Sequence, residues 1–458
     1  MNNYDKSLAK GKGLEIRIGE IVEETWEERA GPTPEPSLTS LRDWDFKLLR
    51  RYQPLYSPVC DLCCLCTSGK CDLTKMKKGA CGIDIKTQQA RMDLLTNCMG
   101  ASAHTGHARD ILEHLIKKYG PDHPIDLGLN VEVEAPLTRL IIGIRPEKLN
   151  DLKAAIDYVE KQLIHLFSAT STGQEEDHLD FESKGLHAGM LDLIALEVAD
   201  IAQIVALNMP KADPNSPLVE FGFGTVDTSK PVILCIGHNV LPGASIIEYL
   251  EKNNLSDDIE LCGVCCTAHD IARINPKAKI IGSLARQLYT IKSGIADVIV
   301  IDEQCVRIDT LEEAKKVKSI VIATNDKICM GLPDRTNDEA DEIVEDLVKG
   351  TSPGALILNP DNVGEVAVKT AMQIAKQRSQ FKQMMKREDL IETAKKCTEC
   401  QMCFRACPNN LRVHEGIREA KKGKLEKLAE IYELCIGCGR CEVECSTKLP
   451  IIRMLTTA

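Results

Sequence analysis

Two matching runs of cysteine near the C-terminal end constrain the fold of this chain more than any other feature. They read Cys397-x2-Cys400-x2-Cys403-x3-Cys407-Pro408 and Cys435-x2-Cys438-x2-Cys441-x3-Cys445. Three thiolates on one tight loop can bind three irons of a cubane cluster, while the fourth thiolate of each run points to the other cluster. The spacing therefore predicts two [4Fe–4S] clusters, the first held by Cys397, Cys400, Cys403 and Cys445 and the second by Cys435, Cys438, Cys441 and Cys407. Zinc knuckles or a store of reduced thiols would explain the doubled spacing less well.

Six further cysteines lie between Cys60 and Cys81. Adjacent Cys63 and Cys64 cannot easily both bind one small cluster, so two interleaved sets are the simplest division. One set supplies the four thiolates that a cubane needs, namely Cys63, Cys66, Cys71 and Cys81. The remaining pair, Cys60 and Cys64, would need a symmetry-related pair across a twofold axis, which predicts a homodimer bridged by a shared [4Fe–4S] cluster. A zinc site with two unrelated cysteines is the alternative.

Composition narrows the class of protein. A cytosolic chain of 458 residues would not normally carry 21 cysteines as disulfides, so metal binding is the better explanation. The formal net charge is −11 and there is no lysine-rich tract, which argues against a nucleic-acid partner. The polar start of the chain lacks the apolar core of a secretory signal, and the apolar runs are too short to cross a bilayer. We therefore expect a cytoplasmic protein without a membrane span.

The apolar pattern predicts an α/β multidomain protein. Apolar residues recur at helical spacing from about 89 to 205, and short β-branched runs then alternate with helical stretches, which is typical of a parallel sheet with crossover helices. The runs expected to form strands are 232–236, 259–261, 298–301, 319–322 and 355–358, and a charged helical segment, 373–396, is expected to link the sheet to the cysteine runs. The expected domains are an N-terminal extension (1–55), an iron–sulfur region of cysteine-rich loops (56–100), a helical domain (101–215), a Rossmann-like parallel-sheet domain (216–390), a ferredoxin-like module with two [4Fe–4S] clusters (391–450) and a truncated tail (451–458).

Metal-binding side chains follow three of the predicted strands. His238 follows the first, Cys265 and Cys266 follow the second, and Cys305 follows the third. Because ligands of open α/β sheets lie beyond the carboxyl ends of the strands, these side chains are expected to share one crevice. Taken singly, each of these cysteines is better explained as an inert buried thiol, but the set of three favours a metal site.

Histidines at helical spacing give a second candidate site. His104 and His107, with His114 further along, lie close to one face of a predicted helix. Histidine exchanges protons near neutral pH, so such a face can relay protons, and we take His104 and His107 as candidate catalytic residues. Taken singly, each is more often an ordinary surface or core histidine.

Several local motifs carry a resemblance to a known family. They are Cys60-Asp61-Leu62-Cys63-Cys64-Leu65-Cys66, Ala103-His104-Thr105-Gly106-His107, Gly237-His238-Asn239, Gly263-Val264-Cys265-Cys266-Thr267-Ala268-His269-Asp270 and Asp302-Glu303-Gln304-Cys305. With the two cysteine runs, they make the chain resemble the catalytic alpha subunit of the archaeal carbon monoxide dehydrogenase/acetyl-CoA synthase (decarbonylase) complex along nearly its whole length. The resemblance implies that His238, Cys266 and Cys305 bind a nickel–iron–sulfur cluster, with Cys266 preferred to Cys265. It also implies that His104 handles protons near bound CO.

The function implied by this resemblance is anaerobic CO dehydrogenation, CO + H2O to CO2 + 2 H+ + 2 electrons. The electrons would pass through the cubanes to ferredoxin. The implied cofactors are three [4Fe–4S] clusters per chain, one more shared across the homodimer, and a nickel–iron–sulfur cluster that this chain binds only in part. The implied partners are a small companion subunit, ferredoxin and the acetyl-CoA synthase components.

One departure from the resemblance bears on activity. Members of this family continue beyond the ferredoxin-like module and supply further cysteines to the nickel cluster. We therefore expect the chain to be a fragment, a frameshifted product or half of a split enzyme, which binds the cubanes but does not turn over CO alone. The competing expectation is an electron-transfer iron–sulfur subunit, or an inactive fragment, without a complete nickel site.

Overall fold

The computed structural model describes residues 6–11, 14–18, 61–68, 70–128, 135–171, 177–207, 209, 218–382 and 385–458. These residues divide into two compact units, and the division falls within two long helices, after Thr105 and after Val198. The first unit contains the N-terminal strands and most of the helical region. The second contains the parallel sheet and the C-terminal cysteine runs.

Short strands and long helices make up the first unit. Strands β1 (Lys6–Gly11) and β2 (Leu14–Ile18) pair antiparallel, as do the two-residue strands β3 (Leu62–Cys63) and β4 (Cys71–Asp72). The helices are α1 (Ile85–Tyr119), α2 (Pro136–Ile142), α3 (Leu149–Ala169) and α4 (His178–Ala206). The predicted helical domain is therefore confirmed. None of the described helices is long and apolar enough to cross a membrane.

Helix α3 shows why this region is helical. Leu152, Ile156 and Val159 recur at intervals of three and four residues, and all three are buried, so one face of the helix packs into the core. At its start, the carboxylate of Asp151 accepts hydrogen bonds from the backbone N–H of Lys148 and of the residue before it. These donors have no partner within the helix, so the contact stabilises the helix terminus.

The second unit is built on a six-stranded parallel sheet. Its strands are β5 (Val232–Gly237), β6 (Glu260–Cys265), β7 (Lys279–Gly282), β8 (Val298–Ile301), β9 (Ile320–Ala323) and β10 (Gly354–Leu356). The order across the sheet is β10-β9-β8-β5-β6-β7, and every neighbouring pair is parallel. This is the doubly wound order, whose direction reverses between β5 and β8. The predicted parallel sheet is confirmed, but the sequence did not predict β7.

Helices cover both faces of the sheet. They are α5 (Leu241–Lys252), α6 (Cys266–Ile274), α7 (Gln287–Ser293), α8 (Thr310–Lys316), α9 (Ala340–Lys349) and α10 (Val363–Ile374). Ile233 packs in the cluster that contains Val366 of α10, whereas the next residue, Leu234, packs in the cluster that contains Ile291 of α7. Because successive strand residues point to opposite faces, a strand buried on both sides is apolar at every position.

The C-terminal cysteine runs lie in a module of short helices. They are α11 (Arg387–Lys395), α12 (Met402–Arg405), α13 (Val413–Ala420), α14 (Glu426–Leu434), α15 (Arg440–Val443) and α16 (Ile451–Thr457). The helical segment expected over 373–396 is interrupted, because α10 ends at Ile374 and α11 begins at Arg387. The expected tail, 451–458, is helix α16, and Ile452 and Leu455 on it are buried in the core of the module.

Candidate metal centres

The first cysteine set of the C-terminal module converges on one small cavity. Cys397, Cys400, Cys403 and Cys445 all line this cavity. The first three come from the loop at α12, and the fourth comes from the second run. The structure therefore brings together the four thiols that the spacing assigned to one cluster, as Cys-rich loops of this kind require.

Backbone N–H groups point at the sulfurs of this cavity. The N–H of Glu399 lies 3.4 Å from Sγ of Cys397, and the N–H of Leu449 lies 3.4 Å from Sγ of Cys445. Such donors stabilise a thiolate and would tune the potential of a bound cluster. A set of thiols turned toward amide donors, with no disulfide among the described cysteines, fits an iron–sulfur cluster better than a covalent crosslink.

The pKa values of two of these thiols show that the thiols of the cavity lie close together. Burial, together with the charges of Cys397 and Cys445, raises the pKa of Cys403 to about 11. The Ser446 hydroxyl, 3.4 Å from Sγ of Cys400, and a backbone N–H lower the pKa of Cys400 to about 7. Four thiolates cannot share such a space without a cationic centre to offset their repulsion. Ser446, which occupies the position after the second run that Pro408 occupies after the first, therefore contributes to this site.

The second cysteine set lies on the loop before α15. Burial raises the pKa of Cys441, and the charges of Cys435 and Cys438 raise it further, so these three thiols are close neighbours. The N–H of Gly437 donates to Sγ of Cys435 over 3.4 Å. The fourth predicted member, Cys407, accepts a hydrogen bond from the N–H of residue 411, and its place in this set stays a prediction.

Helix α7 joins the sheet to this second set. The ring of Tyr289 packs against Tyr432 with ring centroids 4.9 Å apart, in the same buried cluster as Cys441. The guanidinium of Arg307 donates to the backbone oxygen of Gly437 over 3.0 Å. The loop that follows β8 is therefore fixed to the loop of the second cysteine run.

The structure shows only part of the division of the N-terminal cysteines into two ligand sets that the sequence predicts. Cys63 and Cys71 lie opposite each other across strands β3 and β4, and the N–H of Ala80 lies 3.4 Å from Sγ of Cys71. Cys63 is buried whereas its neighbour Cys64 is exposed, so the two thiols face different surroundings. Cys60 lies outside the described residues. Cys66 and Cys81 are described, but their membership of the first set stays a prediction.

The third candidate centre lies at the carboxyl edge of the sheet, where the strand order reverses. His238 directly follows β5, Cys265 ends β6, Cys266 begins α6, and Cys305 follows β8. Strand β6 was expected to end near residue 261, but it continues to Cys265. Because the β5–β6 pairing is in register to their last residues, the ligand-bearing ends lie at the same edge.

The thiols of this edge contact one another. The side chains of Cys265 and Cys305 are hydrogen-bonded, which with burial raises the pKa of Cys265. Burial raises the pKa of Cys266 to about 11, with the charge of Cys305 as the next cause. Both members of the adjacent pair therefore lie near Cys305, so the choice of Cys266 over Cys265 stays a prediction. Cys265 and Cys305 each adopt a positive φ, 70° and 56°, an uncommon conformation that is often found at functional sites.

The buried carboxylate of Glu303 orients the imidazole of His107 beside this centre. Nδ1 of His107 lies 2.7 Å from Oε1 of Glu303, and both side chains are almost completely buried. The ring of His238 packs against the ring of His107, and the two ring centroids lie 4.3 Å apart. Oε2 of Glu303 accepts a hydrogen bond from the Lys327 ammonium over 3.3 Å. The sequence identified both histidines, but not Glu303 as their anchor.

His104, the other candidate catalytic residue, has an acidic partner in the helical unit. Its Nδ1 lies 2.5 Å from Oδ1 of Asp192 on α4, and both side chains are about one quarter exposed. A carboxylate at Nδ1 fixes the orientation of the imidazole ring. Asp192 was not identified from the sequence, because 88 residues separate it from His104.

Among the described residues, no three His, Cys, Asp or Glu side chains converge tightly enough to hold a single metal ion. Thiols around a shared space, with amide donors directed at sulfur, fit an iron–sulfur cluster. The imidazole and thiols at the sheet edge fit a mixed-metal cluster, since both ligand types suit nickel and iron.

Comparison with known proteins agrees with this architecture. A family model described as the Prismane/CO dehydrogenase family matches residues 61–122 and 130–442. Relatives named acetyl-CoA decarbonylase/synthase complex subunit alpha occur in Methanothermobacter thermautotrophicus and Methanocaldococcus jannaschii. The first is 56% identical over 92% of this chain and 54% of its own length, and the second is 53% identical over 97% and 57%. The chain thus spans about half the length of the curated relatives it matches.

Solved structures show the same fold. Carbon monoxide dehydrogenase IV from Carboxydothermus hydrogenoformans matches with a TM-score of 0.54 and 16% identity, over 77% of this chain and 62% of that chain. Carbon monoxide dehydrogenase from Thermococcus sp. AM4 matches with a TM-score of 0.53 and 19% identity, over 79% and 64%. The resemblance to the archaeal alpha subunit is confirmed, and the chain belongs to the Prismane/CO dehydrogenase family.

Proposed function

We propose that this chain carries part of an anaerobic CO dehydrogenase, which oxidises CO with water to CO2, two protons and two electrons. The observation that supports this most is that His238, Cys266 and Cys305 follow strands that end at the same edge of the sheet, where the strand order reverses. A mixed imidazole and thiolate set in a switch-point crevice suits a nickel–iron–sulfur cluster. When bound, such a cluster would supply Lewis-acid activation of CO and water.

The proposal gives the two candidate catalytic histidines separate roles. His107 lies against the His238 ring and is oriented by the buried Glu303 carboxylate. His104 is oriented by Asp192 and is proposed to hold and release a proton. Carboxylate–imidazole contacts of this kind set both the tautomer and the ring orientation.

Electrons would leave through the cysteine-bound cubanes. The proposed first set of the C-terminal module shares one cavity, and the second set is fixed to the loop after β8 through Arg307 and Gly437. The proposed acceptor is ferredoxin, because [4Fe–4S] clusters carry one electron at a time at low potential. The cubane ligands that we propose are Cys63, Cys66, Cys71 and Cys81 for one cluster, Cys397, Cys400, Cys403 and Cys445 for another, and Cys407, Cys435, Cys438 and Cys441 for a third.

We further propose that the chain forms a homodimer through Cys60 and Cys64, with one [4Fe–4S] cluster shared between the two copies. The exposure of Cys64 beside the buried Cys63 is consistent with a ligand directed away from its own chain. Because the relatives are named as alpha subunits of an acetyl-CoA decarbonylase/synthase complex, we propose assembly with acetyl-CoA synthase components. The small companion subunit is proposed from the family resemblance. Anaerobic sedimentation of the wild type and of Cys64→Ser would test the dimer, which the variant should lose.

The second candidate function is electron transfer without CO chemistry. It is favoured by the contrast between the two kinds of site, because the C-terminal cavity gathers four thiols whereas the sheet edge offers one imidazole and few thiols. Metal analysis of anaerobically prepared protein separates the two functions. Nickel near one per chain with CO-dependent reduction of viologen supports the dehydrogenase. Iron alone without CO oxidation supports the electron carrier.

A further inference from the structure

The buried carboxylate of Asp302 lies at the centre of the sheet edge. Asp302 directly follows β8, and its side chain accepts four hydrogen bonds. Oδ1 accepts from the N–H of His238 over 2.7 Å and from the N–H of Gln304 over 3.3 Å. Oδ2 accepts from the N–H of Asn239 over 3.0 Å and from the Thr267 hydroxyl over 2.7 Å. All four donors come from the loops that carry the proposed metal ligands.

The four donors are adjacent to, or part of, those ligands. One donor is the backbone of His238 itself, the Thr267 hydroxyl follows Cys266, and the N–H of Gln304 precedes Cys305. The carboxylate therefore connects the ends of β5, β6 and β8 at one point. These three strand ends lie far apart in the sequence, so the contacts of Asp302 with the other two are tertiary contacts.

The end of β5 is shaped to admit this carboxylate. Gly237 adopts φ +141°, and a Cβ at this position would lie 1.8 Å from Oδ1 of Asp302. No other residue type could occupy the position without moving the carboxylate or the strand end. The arrangement therefore depends on a glycine and an aspartate that are 65 residues apart in the sequence.

We propose that Asp302 is a positioning residue that sets the relative placement of His238, Cys266 and Cys305 and makes this sheet edge competent to bind nickel. The inference rests on the proposed function, because the ligand roles are assigned there. Asp302 acts through the backbone and through Thr267, and it does not itself bind the metal. Partners that orient metal ligands in this way typically change metal affinity by about 10–100-fold when they are removed.

Asp302→Asn is the most informative variant. The amide has nearly the same shape as the carboxylate, but its NH2 group cannot accept hydrogen bonds, so two of the four donors lose their acceptor. Thr267→Val removes one donor, whereas Thr267→Ser retains it. Glu260→Gln is the matched control, because Glu260 is also a buried carboxylate, it accepts from the N–H of Asp227, and it lies at the opposite end of the sheet in β6.

The test uses the full chain with its cubanes reconstituted under anaerobic conditions. Nickel(II) is titrated, and the thiolate-to-nickel charge-transfer absorption is recorded after subtraction of the same titration of Cys305→Ser. We expect Asp302→Asn to bind nickel about 10–100-fold more weakly than the wild type. Thr267→Val should show a smaller loss that Thr267→Ser restores. Glu260→Gln should retain the wild-type affinity and the wild-type spectrum.

Amide hydrogen exchange provides a readout that does not depend on nickel. The N–H groups of His238, Asn239 and Gln304 should exchange faster in Asp302→Asn and at the wild-type rate in Glu260→Gln. Wild-type nickel affinity in Asp302→Asn, or an equal loss of affinity in Glu260→Gln, would overturn the positioning role. A wild-type chain that shows no nickel absorption beyond that of Cys305→Ser would instead refute the proposed function. In that case, unchanged exchange in Asp302→Asn would overturn the inference as well.

Discussion

A buried ion pair at the amino end of β8 gives a stability prediction with a defined magnitude. Asp297 precedes the strand, and its Oδ1 lies 2.6 Å from Nη1 of Arg378. The two side chains are 0% and 3% exposed, and Oδ2 of Asp297 also accepts from the N–H of Val232 over 2.8 Å and contacts the ammonium of Lys382. Asp297→Asn leaves two cations in the core without a counter-charge. Because breaking a buried pair costs more than the pair contributes, we expect a loss of about 3–5 kcal/mol in the free energy of unfolding.

Equilibrium urea unfolding of the reconstituted chain, followed by circular dichroism, measures this loss. The matched control is Asp257→Asn, because Asp257 lies the same 2.6 Å from Lys277 but both side chains are more than half exposed. Solvent screens such a pair, so the control should leave the free energy of unfolding nearly unchanged. Equal effects of the two variants would show that burial does not determine the value of the pair, and the reasoning would fail.

Three further predictions concern the cysteines and the sheet edge. Cys403→Ser should remove one cubane, about four irons per chain by metal analysis, whereas Cys98→Ser, which alters an isolated buried thiol of α1, should remove none. Gly237→Ala should lower the free energy of unfolding by about 1–3 kcal/mol in urea titrations, because its Cβ would overlap the carboxylate of Asp302. Burial raises the pKa of Asp270 from 3.8 to about 7, so the folded state holds this proton more tightly than the unfolded state and stability falls as pH rises from about 4 to 7. Asp270→Asn should therefore stabilise the chain by an amount on the order of 2–4 kcal/mol above pH 7 and have little effect near pH 4 in pH-resolved unfolding.

Local patterns predicted the elements of this fold where a single period dominates the sequence. Strands β5, β8 and β9 coincide closely with apolar runs, because they are buried on both faces. Strand β7 was missed because it is a four-residue edge strand that begins with Lys279. Strand β6 was predicted only as far as residue 261, because Gly263 weakens the strand pattern that follows. The glycine is required by the following helix, since a Cβ there would lie 2.6 Å from Cα of Ala268.

The residues of the candidate sites, like the elements of the fold, could be predicted only where a local sequence pattern exists. Cysteine spacing alone predicted which four thiols share the C-terminal cavity, because a cubane fixes the distances between its ligands along a short loop. Glu303, Asp192 and Ser446 could not be identified from spacing, since each acts on a residue 46 to 196 positions away. Such partners are determined by tertiary packing. A carboxylate directly after a buried strand is the only local signal that Asp302 and Glu303 offered.

Asp297 and Asp302 lie at the two ends of strand β8, and the distance between them leads to a last prediction. Asp297 precedes Val298 and anchors the amino end, whereas Asp302 follows Ile301 and gathers the loops at the carboxyl end. Strands rise about 3.3 Å per residue, so the two Cα atoms lie roughly 16 Å apart. Sites this far apart that share no partners usually have additive effects, to within about 0.3–0.5 kcal/mol. The double variant Asp297→Asn/Asp302→Asn should therefore lose the sum of the two single losses in free energy of unfolding, while its nickel affinity should equal that of Asp302→Asn alone. Coupling beyond that margin would mean that the strand transmits strain between its ends, and the separation of fold stability from metal binding would be wrong.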